Sequence, residues 1–321
     1  MSSDLRKKIK KTVRRFGETA LVRTLVFLAV TLPRRTGLSL FTFFGMVSYR
    51  CYEKDRVRAH ENIALAFPGT PAVVVQAIAR GVFKSMGKNS LDALRLTSQT
   101  KQQVLESCLV TGEENLRRPL ARGKGVLAIT GHIGCWELLG ACLSGKGYSL
   151  SVIARKLSNE ALNRMIIEMR RRHGVESFYR GNKAVAGYRV LKRGEILGML
   201  VDQNINIEGI MVPFFARPAW TPIGPAVFAL RSGAAVVPMA IHMQPGGTHH
   251  IKILPEIEHP PEDLPVEERR AVLTKDLTAA IEKLVRLYPQ QWVWFHDRWH
   301  VRTEHLEKVR ELGYLEMDGT A

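Results

Sequence analysis

The sequence predicts an α/β fold with a mostly parallel central sheet flanked by helices. From Gly123 onward, short apolar runs alternate with amphipathic segments of helical spacing, which is the pattern of successive strand–helix units. The chain has 321 residues, of which 45% are hydrophobic, so it can bury a large core. Charged residues make up 24%, which excludes a disordered polyelectrolyte, and the Gly and Pro contents are ordinary.

Residues 53 to about 107 are predicted to be helical, with a turn at residues 68–71 and a long helix over residues 73–96. Beyond Gly123, buried strands are predicted at residues 126–130, 150–154, 196–201, 235–241 and 250–254. Helices are predicted at residues 135–143, 158–173, 183–192 and 266–287. A further helix should open at Thr221 and Pro222 and end at Gly233. Ser158 and Thr221 are the expected N-caps.

The N-terminus combines positive charge with two apolar segments. Residues 1–35 contain ten Lys or Arg against two acidic residues, which is +8 of the net charge of +17. Apolar runs at residues 24–33 and 36–49 are shorter than the ~20 residues of a spanning helix. A polybasic cluster beside apolar helices is typical of peripheral attachment to an anionic membrane surface. The alternatives are a signal peptide, or a solvated basic helix followed by core helices.

This pattern gives the predicted organisation: membrane-anchoring helices at residues 1–50, an α/β domain at 51–305 and a C-terminal tail at 306–321. A pI near 10.0 is also typical of proteins that bind nucleic acid. The basic cluster has no interleaved aromatic residues and no nucleic-acid-binding motif is present, so no nucleic-acid partner is expected. The four cysteines form no CxxC pair, which disfavours a disulfide scaffold or a zinc site.

The segment from Gly131 to Glu137 carries the clearest chemical signal. It follows a predicted strand and opens a helix, the position where α/β proteins concentrate functional residues. His132 and Glu137 would be about 140° apart on one helix, so they can meet only if His132 lies in the preceding turn. The prediction is a general base, His132, oriented by Glu137. The alternatives are a helix-capping histidine, and a nucleophilic Cys135 in place of a buried one.

This motif resembles the His-x4-Asp/Glu motif of membrane-associated glycerolipid and lipid A acyltransferases. The Glu version is similar to the late (lauroyl/myristoyl) lipid A acyltransferases. Other blocks of that family follow in order over roughly residues 20–300. They are matched at residues 154–157, where Lys156 replaces the usual Pro, at 170–174, 201–204, 212–215 with 221–222, and 291–299. Ala216 stands where the family usually has Gly.

The resemblance implies acyl transfer from a thioester to a hydroxyl, with His132 as base. The tetrahedral oxyanion then needs donors, and the candidates are backbone N–H groups near Gly134 and an arginine. It implies no metal, no cofactor and no covalent acyl-enzyme. Arginines suit phosphates of the acceptor or donor. The candidate substrate-binding residues are Arg155, Arg164, Arg170, Arg180, Asp202, Gln203 and Thr221, and for Asp202 and Gln203 an ordering role in the 204–221 loop is equally open. Residues 292–299 either line an acyl pocket, lie at the bilayer interface or pack in the core.

The implied acceptor is a glycolipid such as a lipid A precursor. The expected donor is an acyl carrier protein, which is acidic, with acyl-CoA as the alternative. The expected location is the cytoplasmic side of the inner membrane, in contact with its lipids. The alternative functions are a lysophospholipid or phosphatidylinositol-mannoside-type acyltransferase, a non-catalytic basic membrane- or nucleic-acid-binding protein, and a Cys–His thioesterase that depends on Cys135.

Overall fold

The computed structural model describes residues 3–179 and 184–300. Its centre is a seven-stranded sheet in the order β1-β9-β8-β2-β5-β3-β4. All neighbouring pairs are parallel except β8 and β9. The α/β fold predicted from the sequence is confirmed. The strands are β1 (Cys108–Thr111), β2 (Val126–Thr130), β3 (Leu150–Ala154), β4 (Val175–Tyr179), β5 (Ile196–Leu200), β8 (Ala235–Met243) and β9 (His249–Ile253).

Helices cover the sheet, and five of them precede its first strand in the chain. They are α1 (Ser3–Thr31), α2 (Arg34–Cys51), α3 (Glu53–Ala66), α4 (Ala72–Arg95), α5 (Lys101–Glu106), α6 (Glu114–Ala121), α7 (Trp136–Gly145), α8 (Glu160–Arg172), α9 (Ala184–Lys192), α10 (Gly224–Ser232) and α11 (Val266–Leu287). Strand β2 lies at the centre of the sheet and is buried along its whole length, as its unbroken apolar sequence predicts.

The two N-terminal helices pack onto the rest of the protein. Helix α2 crosses α4 so closely that a Cβ atom on Gly87 would lie 2.0 Å from the carbonyl oxygen of Phe41. Helix α1 contacts the start of α8, where Arg15 donates a 2.6 Å hydrogen bond to the Ser158 carbonyl. Over the described residues, no helix is both long enough and apolar enough to cross a membrane.

The structure corrects the predicted region between β5 and α10. Residues 204–221 were expected to form a loop and Thr221 to cap a helix. Instead β6 (Gly209–Phe214) and β7 (Arg217–Pro222) form an antiparallel hairpin, and Thr221 lies within β7. Helix α10 begins two residues after Pro222, and Gly233 ends it in a left-handed conformation, as predicted. The hairpin replaces the predicted cap because it pairs six residues of each strand.

The predicted cap of α8 is also wrong by one residue. Asn159, not Ser158, accepts hydrogen bonds from the first amides of the helix, Ala161 and Leu162. The Asn159 amide nitrogen also lies 3.1 Å from the Arg15 carbonyl oxygen, to which it donates. Asn159 therefore caps one helix and binds a second. The predicted tail at residues 306–321 lies outside the described residues.

Candidate active site

The candidate site forms at the carboxyl end of β2, where the chain turns into α7. Gly134 makes this turn with a φ of +61°. A Cβ atom there would lie 2.1 Å from the Ile241 carbonyl oxygen, so only glycine fits. Ile133 pairs with Trp292 in an isolated antiparallel bridge, which ties the turn to the segment after α11. The turn places His132 ahead of the helix, as the sequence predicts.

A buried carboxylate orients His132. The Nδ1–H of His132 donates to Asp202 Oδ1 at 2.7 Å, and the backbone N–H of His132 donates to Asp202 Oδ2 at 2.6 Å. Trp292 Nε1 donates to the same Oδ2 at 2.7 Å. The pairing follows from the sheet: Thr130 and Leu200 are in register on β2 and β5, and the two partners each follow two residues later.

The environment keeps Asp202 ionised. Burial pushes the pKa of Asp202 upward, but the positive charge and the hydrogen bonds of His132 outweigh it and hold the pKa below its ordinary value. An ionised Asp202 accepts from Nδ1–H, so the lone pair of the neutral His132 ring lies on Nε2. The geometry therefore fixes the tautomer that a general base needs.

This arrangement corrects the predicted partner of His132. Glu137 was expected to orient the histidine, but the structure gives that place to Asp202. Glu137 instead accepts two hydrogen bonds from Arg170, one from Nε at 2.8 Å and one from Nη2 at 2.6 Å. Both side chains are about four-fifths buried, at 18% and 16% exposure. A bidentate, mostly buried ion pair of this kind fixes the first turn of α7 against the last turn of α8.

The other ring nitrogen of His132 faces Gln203 and a second histidine. Gln203 Nε2 lies 3.2 Å from His132 Nε2, to which it donates. The same amide nitrogen is 3.2 Å from both ring nitrogens of His296. Burial lowers the pKa of His296 to about 4, against the opposing charge of Asp202, so this ring is neutral at pH 7. His296 was not among the predicted site residues.

A cavity of about 190 Å³ opens beside His132. Among the predicted residues, it is lined by Glu137, Arg155, Arg170 and Gln203, and Trp136 adds an aromatic wall. Arg164 lies on α8 but does not line the cavity, and its side chain is exposed. Arg180 lies outside the described residues. The structure thus gathers four of the predicted polar residues around the histidine.

Comparison with known proteins identifies the family. Residues 6–301 match the family described as bacterial lipid A biosynthesis acyltransferase. The chain belongs to this family. The similarity to the late lipid A acyltransferases found from the sequence motifs is confirmed, and the chain is an acyltransferase.

Individual relatives agree with this assignment. The chain is 25% identical to the lipid A biosynthesis lauroyltransferase of Escherichia coli, over 90% of this chain and 94% of the relative. It is 25% identical to the E. coli lipid A biosynthesis palmitoleoyltransferase, over 86% and 89%. A phosphatidylinositol mannoside acyltransferase of Mycobacterium tuberculosis is 22% identical over 74% and 75%. The alignment therefore spans most of each protein in all three cases.

Two predicted roles in this acyltransferase do not fit the structure. The Gly134 N–H, the expected oxyanion donor, already donates to the Gln291 carbonyl at 2.9 Å. Thr221, expected to bind substrate, is fully buried, and its hydroxyl accepts a 2.8 Å hydrogen bond from Arg298 Nη2. The segment after α11 packs behind the turn between β2 and α7 and takes both groups as partners.

Cys135 is buried beside α4. Its side chain is 2% exposed, and its thiol donates to the Asn89 carbonyl at 3.5 Å. Burial raises the pKa of the Cys135 thiol far above its ordinary value, with the charge of Asp92 acting in the same direction. A thiol held protonated in this way is not a nucleophile. The structure thus favours the buried-cysteine interpretation over the Cys–His thioesterase.

The aromatic segment at residues 292–299 proves to be part of the core and of the site's support. Trp292 and Trp294 are fully buried, and Trp292 holds Asp202. Arg298 is 1% exposed; burial lowers its pKa to about 10, and the charge of Asp202 opposes that shift. The family block at residues 291–299 was the sequence signal for these residues, but it did not indicate which side chains reach the site.

Proposed function

We propose that this acyltransferase moves a fatty acyl chain from an acyl carrier protein thioester to a hydroxyl of a glycolipid, such as a lipid A precursor. His132 acts as the general base. The observation that carries the proposal is the His132–Asp202 pair, whose Nδ1 is held by a buried carboxylate while the ring lines the cavity. A histidine oriented in this way is poised to accept a proton at Nε2.

In the proposed reaction, the acceptor hydroxyl displaces the Gln203 amide from His132 Nε2. His132 takes the hydroxyl proton as the oxygen forms a bond to the thioester carbonyl carbon. Asp202 stabilises the resulting imidazolium through Nδ1–H. The tetrahedral intermediate then collapses, the carbon–sulfur bond breaks, and the thiolate leaving group takes the proton back from His132. The ester and the free thiol are the products, so atoms and charges balance.

Two arginines support binding and charge stabilisation in this proposal. Arg155 lines the cavity, and it forms no ion pair with any residue that the structure describes. Its guanidinium is therefore available to a phosphate or carboxylate of a substrate. Arg170 lines the same cavity but is held by Glu137. With the Gly134 amide engaged elsewhere, we assign Arg170 to the developing oxyanion and Glu137 to positioning Arg170.

The relatives support the choice of acceptor in this proposal. The lipid A lauroyltransferase aligns over more of the chain than the phosphatidylinositol mannoside acyltransferase, at 90% against 74%. This favours a lipid A precursor, and a phosphatidylinositol-mannoside-type acceptor is the second candidate. Lipid mass spectrometry of a deletion strain distinguishes them, because the mass of the missing acyl group and its carrier lipid names the acceptor.

The catalytic assignment is tested by two variants assayed with acyl carrier protein donor and glycolipid acceptor. His132→Ala should abolish ester formation while the protein stays folded by circular dichroism. Cys135→Ser, the matched control on the same turn, should stay largely active. An inactive Cys135→Ser beside an active His132→Ala would overturn the assignment, and release of free fatty acid instead of ester would indicate a thioesterase.

The donor proposal rests on the exposed face of α8. Outside residues 1–35 the chain keeps +9 of its +17 charge, and Arg164 and Arg171 are exposed on this helix. An acidic carrier protein would dock there faster than a neutral one. Arg164→Glu with Arg171→Glu should raise KM for the carrier protein and leave single-turnover chemistry nearly unchanged. Arg118→Glu on α6 is the control, and a carrier-protein rate below the acyl-CoA rate would contradict the proposal.

Membrane attachment through α1 and α2 is the remaining part of the proposal. Val13, Phe16 and Phe27 lie on one side of α1, and they are 65%, 76% and 63% exposed. Phe43 and Val47 form a similar exposed pair on α2. Together with the basic cluster, these side chains suit the cytoplasmic surface of an anionic inner membrane. Phe16→Asp with Phe27→Asp should reduce flotation with anionic vesicles, and unchanged flotation would rule out this face.

A further inference from the structure

A second cavity, of about 940 Å³, lies between α2, α4 and the turn that joins β8 to β9. His132 does not line this cavity, whereas His242, Met243 and Gln291 do. These residues lie behind the catalytic turn, where Gln291 accepts the Gly134 N–H. A volume of this size lies within the ~300–1,000 Å³ range of ligand sites.

Two buried polar side chains at this cavity lack partners. Asn89 is 6% exposed, and neither its Oδ1 nor its Nδ2 has a hydrogen-bond partner. His242 is 9% exposed, and its Nδ1 is likewise unpaired. Both residues line the cavity, although they come from α4 and β8. Buried polar groups are almost always paired in native proteins, so two such residues at one cavity indicate a polar occupant.

The charged and polar groups that line the cavity indicate which kind of ligand it can bind. Lys88 lines it and forms no ion pair with any described residue, while no carboxylate lines it over the described parts of the chain. Burial lowers the pKa of His242 to about 4, with His250 acting in the same direction, so this ring is neutral and offers a hydrogen bond without charge. Neutral amide and hydroxyl groups complete the wall: Ser39, Ser85, Asn89, Gln244 and Gln290.

We propose that this cavity is a second, non-catalytic binding site for a sugar or polyol carrying one phosphate. The hydroxyls of the ligand pair with Asn89 and His242 after a small rotation of those side chains, and the phosphate lies against Lys88. A purely apolar ligand would leave the same buried groups unpaired, so it is disfavoured. The chemistry is shared by a free sugar phosphate and by the headgroup of a glycolipid or phosphoinositide.

The site also contacts the support of the catalytic turn. The Asn89 backbone carbonyl accepts the Cys135 thiol, and Gln291 accepts the Gly134 N–H. A ligand in this cavity therefore lies against the residues that hold the turn from behind. Its binding is nevertheless independent of the proposed acyl transfer, and it can be measured without a donor or acceptor.

The test is isothermal titration of the full chain with glucose 6-phosphate, glucose, inorganic phosphate and dibutanoyl phosphatidylinositol. The phosphorylated sugar or the short-chain lipid should bind at least about tenfold more tightly than glucose or phosphate alone, because the second contact is then intramolecular. Tighter binding of the lipid assigns a headgroup as the natural ligand, and tighter binding of glucose 6-phosphate assigns a free sugar phosphate. Absence of saturable binding by both would overturn the proposal.

Variants place the binding in this cavity. Lys88→Gln should weaken binding of the phosphorylated ligands about tenfold, as expected for one charge-assisted hydrogen bond, and leave glucose binding unchanged. Lys84→Gln, exposed one turn earlier on α4, is the control and should change neither. Asn89→Leu should weaken glucose and glucose 6-phosphate alike while keeping or raising Tm, since it removes an unpaired amide.

The opposite results have a definite meaning. Affinities unchanged in both Lys88→Gln and Asn89→Leu would place the ligand elsewhere, for example beside Arg155, and the proposal would be wrong. Retained binding in Asn89→Leu with a lowered Tm would mean that Asn89 binds a structural water. Lys88 is only partly buried, so Lys88→Gln decides the question even where Asn89→Leu fails to fold.

Discussion

Two histidine–aspartate pairs in this protein have hydrogen bonds of similar length but differ in burial and in the other partners of the aspartate. His132 Nδ1 lies 2.7 Å from Asp202, and His249 Nε2 lies 2.8 Å from Asp92. The His249 side chain is fully buried, and Arg34 binds the Asp92 carboxylate through Nε at 2.9 Å and Nη2 at 2.8 Å. The His132 side chain keeps 18% exposure and lines a cavity.

The difference lies in how the carboxylate of the proposed catalytic pair and that of the structural pair are used. Asp92 divides its charge between a histidine and an arginine, and this cluster joins α2 and α4 to β9. Within the described residues, the hydrogen bonds to Asp202 come instead from N–H groups of His132 and Trp292, so the carboxylate faces one imidazole and no arginine donates to it. A short His–Asp distance alone therefore does not identify an active site. In this protein the two pairs differ in the second ring nitrogen, which is buried in His249 and lies beside a cavity in His132.

The largest effect on the proposed catalytic pair is expected from Asp202→Asn. An amide at this position presents a donor or a weaker acceptor to Nδ1, which disturbs the tautomer that leaves Nε2 unprotonated. By analogy with triad aspartates, kcat/KM should fall about 10³–10⁴-fold. Initial rates with saturating donor measure it. A loss of less than tenfold would return the orienting role to Glu137, as the sequence motif suggested.

The structural pair should respond in stability, not in rate. Asp92→Asn removes the carboxylate charge that forms the ion pair with Arg34. Breaking a buried ion pair commonly lowers the free energy of unfolding by about 3–5 kcal/mol. Burial raises the pKa of Asp92, but the hydrogen bonds from His249 and Arg34 overcome it and lower the pKa, so the carboxylate is charged at pH 7. Chemical denaturation measures the loss, and kcat per folded molecule should stay within a few-fold of wild type.

The Glu137–Arg170 pair lies between these extremes, since it adjoins His132 but does not hold it. Glu137→Gln keeps the shape and loses the charge, so Arg170 is less well positioned. We expect kcat/KM to fall about 10–100-fold, the range of one hydrogen bond to a charged group. A double-mutant cycle with Arg170→Gln measures the coupling. Additive effects would show that the two residues act separately.

The last prediction concerns the pH dependence of stability and His296, the neutral neighbour of the proposed catalytic pair. Its folded pKa of about 4 lies below the ordinary 6.5, so the unfolded chain binds its proton first as the pH falls. Stability from this group is present above pH 6.5 and is lost toward pH 4, by about 2 kcal/mol between pH 7 and pH 5. Denaturation of wild type and His296→Gln at both pH values measures it, and equal losses in the two proteins would refute the assignment.

The sequence was informative about the turn and not about its partners. The alternation of strands and helices after Gly123 predicted the sheet, and the Gly131–Glu137 motif placed His132 ahead of a helix. The partner Asp202 lies 70 residues away and reaches His132 only because β2 and β5 are adjacent and in register. Local spacing favoured Glu137, which is five residues away, but strand order decides the contact.

The β6–β7 hairpin was missed for a related reason. Pro213, Pro218 and Pro222 are poor strand residues, and a Thr-Pro pair is a strong local signal for a helix start. The hairpin is paired over six residues of each strand, and Arg298, from the far end of the chain, donates to the Trp220 carbonyl and to Thr221. Contacts at this sequence distance carry no local signature, so propensity alone gives the wrong element.

The contact between α1 and the start of α8 has a consequence for the order of events during synthesis. Arg15 and its partner Ser158 are 143 residues apart. At about 5–20 residues per second, the ribosome takes roughly ten seconds to make the second residue after the first. Through that interval the N-terminal half of α1 lacks its partner on α8, whereas its C-terminal end already has α4, where Arg95 donates to the Ala29 and Leu32 carbonyls. Under the membrane attachment proposed above, we therefore expect the N-terminal half of α1 to reach the lipid surface before it reaches Asn159.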